Sequence, residues 1–241
     1  MSEPFLQVNA VTKTFGGLHA VFQVSFQMNA GEIIGLIGPN GAGKTTLFNV
    51  ISGFYAPNNG KILFKSQDIS GKPPYKLARL GIGRTFQVVK PFAGLTVLEN
   101  VVIASFVKYP QRRKAEKHAW RILEMTGLVD RANVQASSLT LAGRKRLEVS
   151  KALALEPTLL LLDEVVAGLN PTEADRTIEL ILSLRSQGIT ILIVEHIMRV
   201  IMNISDRVVV LNFGQKIAEG SPRDVAKNPE VIQAYLGEAP Q

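Results

Sequence analysis

The chain has 241 residues, no cysteine, and 27 lysines and arginines against 20 aspartates and glutamates, for a formal net charge of +7. That length suits one large domain or a core with a small subdomain, and the missing thiols exclude disulfides, thiolate metal sites and cysteine nucleophiles. The positive balance favours anionic partners (nucleotide, nucleic acid or acidic headgroups) without choosing among them, and no apolar run nears the ~20 residues of a membrane helix.

Met1 to Ala10 carries Glu3 and Pro4 where a secretory leader has basic residues, so a cytosolic protein is expected. Strands are expected at Phe5 to Val8, Val24 to Met28, Ile33 to Ile37 and Lys61 to Phe64, with Asn58-Asn59-Gly60 turning into the last. Phe15, between the first two and before Gly16-Gly17, is an aromatic that suits either base stacking or the core.

Gly38-Pro39-Asn40-Gly41-Ala42-Gly43-Lys44-Thr45-Thr46 follows the third strand and precedes the apolar Leu47-Phe48-Asn49-Val50-Ile51. Strand, GxxxxGK[ST] loop and helix in this order form a phosphate cradle. Glycines let backbone N–H groups turn inward, and the helix adds the positive end of its dipole. Lys44 is then expected at the β- and γ-phosphates and Thr45 on Mg²⁺.

From Pro73-Pro74 to about Ser138 the pattern turns helical: Tyr75 to Leu80, Val97 to Phe106 opened by Thr96, and Ala115 to Met125 closed by Gly127. This reads as a helical subdomain inserted into a nucleotide-binding core. Its basic run Arg112-Arg113-Lys114, Lys117 and Arg121 has Glu116 and Glu124 interleaved and reads as a solvated face. Gln87, after a short strand Gly83 to Phe86, is by itself a polar residue at another strand end.

A helix is expected around Arg144 to Leu155, then a fully apolar strand Thr158 to Leu162 ending in Asp163-Glu164. A phosphate-loop site needs a carboxylate for Mg²⁺ and a group to orient the attacking water; Asp163 suits the first role and Glu164 the second. Asn170-Pro171-Thr172-Glu173 opens a helix to Arg185. Thr190 to Val194 is a second buried strand, and His196 follows it at the carboxyl edge where ligands of open α/β sheets collect, able to hydrogen-bond a γ-phosphate. Strands Arg207 to Leu211 and Gln215 to Glu219 join through Asn212-Phe213-Gly214, and Ser221-Pro222 and Asn228-Pro229 start two short helices.

Together these residues resemble the ATP-binding subunit of an ABC transporter over nearly the whole chain. Gly38 to Thr46 matches the family's Walker A loop, Leu159 to Asp163 with Glu164 its Walker B strand and catalytic glutamate, Gln87 its Q-loop and His196 its switch histidine; Phe15 stands near the adenine-stacking position. Gly31 to Thr46, Arg84-Thr85-Phe86-Gln87, Gly168 to Glu173 and Pro229 to Gly237 look most like the ATPases of branched-chain amino-acid importers.

The resemblance implies an α/β fold: a P-loop NTPase core with mixed sheet, an N-terminal antiparallel β region and an inserted helical subdomain, with residues 1–87 and 139–241 as core and 88–138 as subdomain of one nucleotide-binding domain. It implies a Mg²⁺-dependent ATPase with Lys44, Glu164 and His196 catalytic, and Thr45, Gln87 and Asp163 on the metal. The implied partners are a second ABC ATPase subunit, two membrane permease subunits met near Val88 to Leu98, and a substrate-binding protein; Val88, Val89, Phe92, Leu95 and Val97 suit that permease contact, with core packing as their default explanation. No nucleic acid is expected, and the implied location is the cytoplasmic face of the inner membrane.

Where the family has Leu-Ser-Gly-Gly-Gln, facing the ATP of the opposite subunit, this chain reads Leu139-Thr140-Leu141-Ala142-Gly143. Thr140 keeps a hydroxyl, whereas Leu141 and Ala142 replace glycines that permit close backbone approach. Val165, Asn170 and Ile197 also stand where proline and two aspartates are common. Two rival readings follow: a soluble ABC ATPase acting on nucleic acid or ribosomes, and an ATP-binding regulatory subunit with weak hydrolysis.

Overall fold

A computed structural model describes residues 3–87 and 91–236. The chain divides into two compact units, Met1–Leu77 with Thr190–Gln241, and Ala78–Ile189.

The first unit opens with a long antiparallel hairpin, β1 (Leu6–Phe15) and β2 (Leu18–Met28), closed at Gly16-Gly17 by two consecutive positive φ values of 52° and 88°. Such a turn matches the twist of the strands it joins and admits glycine at both positions. β4 (Asn59–Phe64) pairs antiparallel with the other edge of β1, and β5 (Gln67–Asp68) with β4. Both hairpin strands outrun the sequence expectation, which stopped the first at Val8 and began the second at Val24. A bulge at Ala10 (φ 47°) shifts the register between Val8 and Val11, breaking the alternation from which a strand is read.

In the same unit β3 (Ile33–Ile37) lies between β8 (Thr190–Val194) and β9 (Arg207–Asn212), parallel to both, and β10 (Gln215–Gly220) adds antiparallel to β9. β3 and β8 are buried at every residue, as apolar strands covered on both faces must be. α1 (Lys44–Ile51) leaves β3 through the glycine loop, and α7 (Met198–Ile204) follows β8. Only seven residues long, α7 escaped the periodicity reading. Pro222 and Pro229 open α8 (Pro222–Lys227) and α9 (Pro229–Leu236) as expected.

In the second unit β6 (Ile82–Arg84) pairs parallel with β7 (Leu159–Asp163). Its helices are α3 (Val97–Ser105), α4 (Arg112–Thr126), α5 (Leu141–Leu153) and α6 (Pro171–Ser186); α2 (Pro74–Leu80) precedes them at the border between the two units. Thr96 and Asn170 each close a capping box with a glutamate three residues on, Glu99 and Glu173. Gly127 ends α4 at φ 66°, and the charges of its basic face are exposed while Ala115, Ala119, Ile122 and Leu123 are buried. α5 begins three residues earlier than expected, because Thr140 caps it by accepting a hydrogen bond from the Gly143 N–H at 3.2 Å. Among the described residues no helix is long and apolar enough to cross a membrane.

Candidate functional site

The segment Gly38 to Thr46 is the loop from β3 into α1. Gly38, Gly41 and Gly43 have φ of 148°, 76° and 98°, values that a side chain resists. Two of these positions are also sterically closed. A Cβ on Gly38 would stand 2.1 Å from the Leu211 carbonyl oxygen, and one on Gly43 2.3 Å from that of Ala20. The Gly214 N–H, in the β9–β10 turn, donates to the Ala42 carbonyl at 3.1 Å. The loop is thus wedged between β2 and that turn, a support which the sequence reading missed because Ala20 and Gly214 are remote and chemically plain.

Lys44, 6% exposed, donates through Nζ to the carbonyls of Gly38 and Pro39 at 2.6 and 2.7 Å. An ammonium folded back across its own loop holds positive charge where the N-terminus of α1 already places its dipole. Gly43, the N-cap, offers no side-chain hydrogen bond, and the first turn carries no acid. Thr45 and Asn40 are exposed, Thr46 is half-buried, and Pro39 and Ala42 are buried. A backbone concavity with a buried cation and a helix N-terminus suits a phosphate chain.

Phe15 does not lie between short strands. It is the last residue of β1 and stays exposed in contact with Tyr55. His196 is also exposed, one residue past buried Glu195, in the link from β8 to α7.

In the second unit Asp163 ends β7 at 4% exposure, its N–H donating to Thr85 Oγ1 at 3.0 Å and its Oδ2 facing an Arg84 guanidinium nitrogen at 3.4 Å. Burial pushes the Arg84 guanidinium below its ordinary pKa, and the Asp163 charge partly offsets this. Glu164 sits in the left-handed region at φ 49°. Gln87 Nε2 donates to its Oε2 at 2.9 Å, and Lys145 Nζ, on α5, donates to its backbone carbonyl. A non-glycine residue keeps such a backbone only where neighbours hold it, and Gln87 and Lys145 are among those that do. Lys145 stands in the stretch Arg144 to Leu147, which also matches the resembled family, but its role is not legible there, since a lysine in a basic stretch carries no signal of its partner.

Among the described residues no cluster of three histidines or carboxylates could hold a metal. The proposed donors, the Thr45 hydroxyl, the Gln87 amide oxygen and the Asp163 carboxylate, are hard oxygens including one anion. By their chemistry these residue types suit Mg²⁺, a hard cation held through one or two carboxylates that completes its shell with phosphate oxygens and water.

In the Leu139 to Gly143 segment, Leu139 is buried, Thr140 caps α5, Ala142 and Gly143 are half-buried, and Leu141 is exposed. A Cβ on Gly168 would lie 3.2 Å from the Leu141 side chain. Of the expected permease contacts, Val88 and Val89 lie outside the described residues. Val97 is wholly buried under the Thr96 cap and belongs to the core, whereas Phe92 is 53% exposed and Leu95 half-buried.

Residues 21–167 match the family described as ABC transporter, and residues 215–240 match one described as branched-chain amino acid ATP-binding cassette transporter. The chain is 44% identical to the high-affinity branched-chain amino acid transport ATP-binding protein LivG of Escherichia coli K12, over 99% of this chain and all of that one. It is similar to the crystal structure of a nucleotide-free ATP-binding cassette from an ABC transporter, with TM-score 0.90 and 33% identity over 98% of this chain and 100% of that one. It is also similar to a dimeric ATP-binding cassette in a post-hydrolysis state bound to ADP and Pi, with TM-score 0.81 and 26% identity over 90% of this chain and 99% of that one.

Proposed function

Because the chain belongs to the ABC transporter family, we propose that it is the ATPase subunit driving an importer of branched-chain or related amino acids. It binds and hydrolyses ATP, and its likeness to dimeric cassettes implies a second cassette as working partner. The observation that carries the reading is the glycine loop before α1, with Lys44 drawn across it and two glycines that only a hydrogen can satisfy.

In this reading the N–H groups of Gly41 to Thr46 and the Lys44 ammonium receive the β- and γ-phosphates. Thr45, Gln87 and Asp163 would hold Mg²⁺, which when bound supplies counter-charge to the phosphate oxygens. Glu164 accepts a hydrogen bond from the attacking water and aims its oxygen at the γ-phosphorus, while His196 donates to a γ-phosphate oxygen. Phe15 stacks on adenine. Residues 1–87 and 139–241 act as the catalytic core and 88–138 as the helical subdomain, with Phe92 and Leu95 offered to two permease subunits at the cytoplasmic face of the membrane. A substrate-binding protein completes the importer. Leu139 to Gly143 faces the nucleotide of the second cassette, with Thr140 and the N-terminus of α5 directed at its γ-phosphate.

The test is phosphate release by the purified chain, alone and mixed with its partner cassette, beside nucleotide affinity. Glu164→Gln is expected to retain ATP while losing hydrolysis by about 100-fold or more, and Lys44→Ala to lose nucleotide binding. Equal hydrolysis in wild type and Glu164→Gln, or unchanged affinity in Lys44→Ala, overturns the respective role.

A further inference from the structure

At the end of β1 two exposed aromatic side chains and a cation are held against one another. Phe15 is 44% exposed and Tyr55 39%, yet their rings meet edge to face, centroids 5.2 Å apart and planes inclined by 75°. Lys13 Nζ stands over both, 5.1 Å from the Phe15 centroid and 5.7 Å from that of Tyr55. Exposed aromatics gain little by folding alone, so a mutually fixed set of them is an ordered surface rather than core.

Tyr55 is also tied through the backbone to α1, the helix that follows the phosphate loop. The N–H groups of Phe54 and Tyr55 both donate to the Asn49 carbonyl, at 2.9 and 3.2 Å, and Asn49 belongs to α1, whose first residue is Lys44. On the other side the Asn58 N–H donates to the Thr12 carbonyl at 2.8 Å, and Asn58 Oδ1 accepts the Thr14 N–H at 2.9 Å. The loop from Gly53 to Asn58 therefore spans from the far end of the phosphate-binding helix to the last residues of β1.

Resting on the ATP reading above, in which Phe15 stacks on adenine, we propose that Tyr55 is a positioning residue for the nucleotide base: with Lys13 over one face of Phe15 and Tyr55 in edge-to-face contact, the ring is held so that its other face meets the purine. A phenyl ring free to turn in solvent would offer that face only part of the time, and restricting it before binding lowers the ordering cost. Because Tyr55 hangs on α1, the platform also keeps a fixed distance from the phosphate site, as a ligand with both a base and a triphosphate requires.

The experiment displaces fluorescent N-methylanthraniloyl-ATP with ATP and, separately, with inorganic tripolyphosphate, which has no base. Tyr55→Leu is expected to raise the Kd for ATP about threefold to tenfold while moving that for tripolyphosphate less than about twofold. Tyr55→Phe, which keeps the ring, restores wild-type affinity for ATP. Unchanged ATP affinity in Tyr55→Leu overturns the proposal, and so does equal weakening of both ligands, which marks damage to α1 instead of loss of base positioning. Lys44→Ala separates the two levels: it is expected to weaken both ligands together, and if it does not, the nucleotide reading itself fails whatever Tyr55 does.

Discussion

The Gln87 amide nitrogen and a Glu164 carboxylate oxygen lie 2.9 Å apart, so the residue proposed to orient water is itself oriented by the residue proposed to reach the metal. Gln87 lies three residues past β6 and Glu164 one past β7, and because the amide oxygen and nitrogen of Gln87 share one plane, a ligand drawing on the oxygen would also turn the nitrogen that holds Glu164. Gln87→Ala is therefore expected to lower kcat for ATP hydrolysis about tenfold or more while leaving nucleotide affinity within about twofold. Steady-state phosphate release together with equilibrium binding checks this, and a change in affinity alone would contradict it.

The glycines of the phosphate loop separate two kinds of cost. Gly41 has φ 76° but open space around a would-be Cβ, whereas Gly43 combines φ 98° with the Ala20 carbonyl at 2.3 Å. Gly41→Ala is expected to destabilise the protein by about 1 kcal/mol from backbone strain, and Gly43→Ala by about 3 kcal/mol or more because the loop and β2 must part. Denaturant unfolding of the two variants measures the difference, and equal midpoints would show that the loop relaxes freely.

Acid sensitivity is expected at the start of α3. Glu99 accepts hydrogen bonds from the Thr96 N–H at 2.7 Å and Thr96 Oγ1 at 2.9 Å, and these, the backbone bond foremost, hold its carboxyl below the ordinary glutamate value of 4.5. A depressed carboxylate contributes stability that is fully present above its unfolded pKa and is lost as pH falls through the folded value. Amide-exchange protection at the first turn of α3 should thus hold above the ordinary glutamate value of 4.5 and fall as the pH is lowered below it, through the depressed folded value. Glu99→Gln removes the charge that titrates, so protection there should lose this pH dependence; an unaltered profile would remove Glu99 as its source.

Elements whose signal is local were legible. The phosphate loop, the buried strands that became β3, β7 and β8, and the caps at Thr96 and Asn170 all follow from neighbouring residues, since φ freedom, apolar runs and side-chain acceptors act within a few positions. Errors gathered where one residue broke a period: the bulge at Ala10 hid most of the hairpin, and the short α7 gave too few turns to show a repeat. Val97 follows the default expectation of core packing, which the sequence cannot separate from a partner contact because an apolar side chain reads the same in either place.

What the sequence determined by itself was the inventory of chemistry: a glycine loop, a cation and hydroxyls beside it, two acids after an apolar strand, and a histidine after another. Tertiary structure decided which side chains answer one another, as in Gln87 with Glu164, Lys145 with the Glu164 carbonyl, and Tyr55 with Phe15 and Lys13. The division has a physical cause. Backbone torsion and strand burial depend on residues adjacent in the chain, whereas hydrogen bonds and ring contacts depend on distances that folding alone sets, between positions as far apart as Gln87 and Glu164.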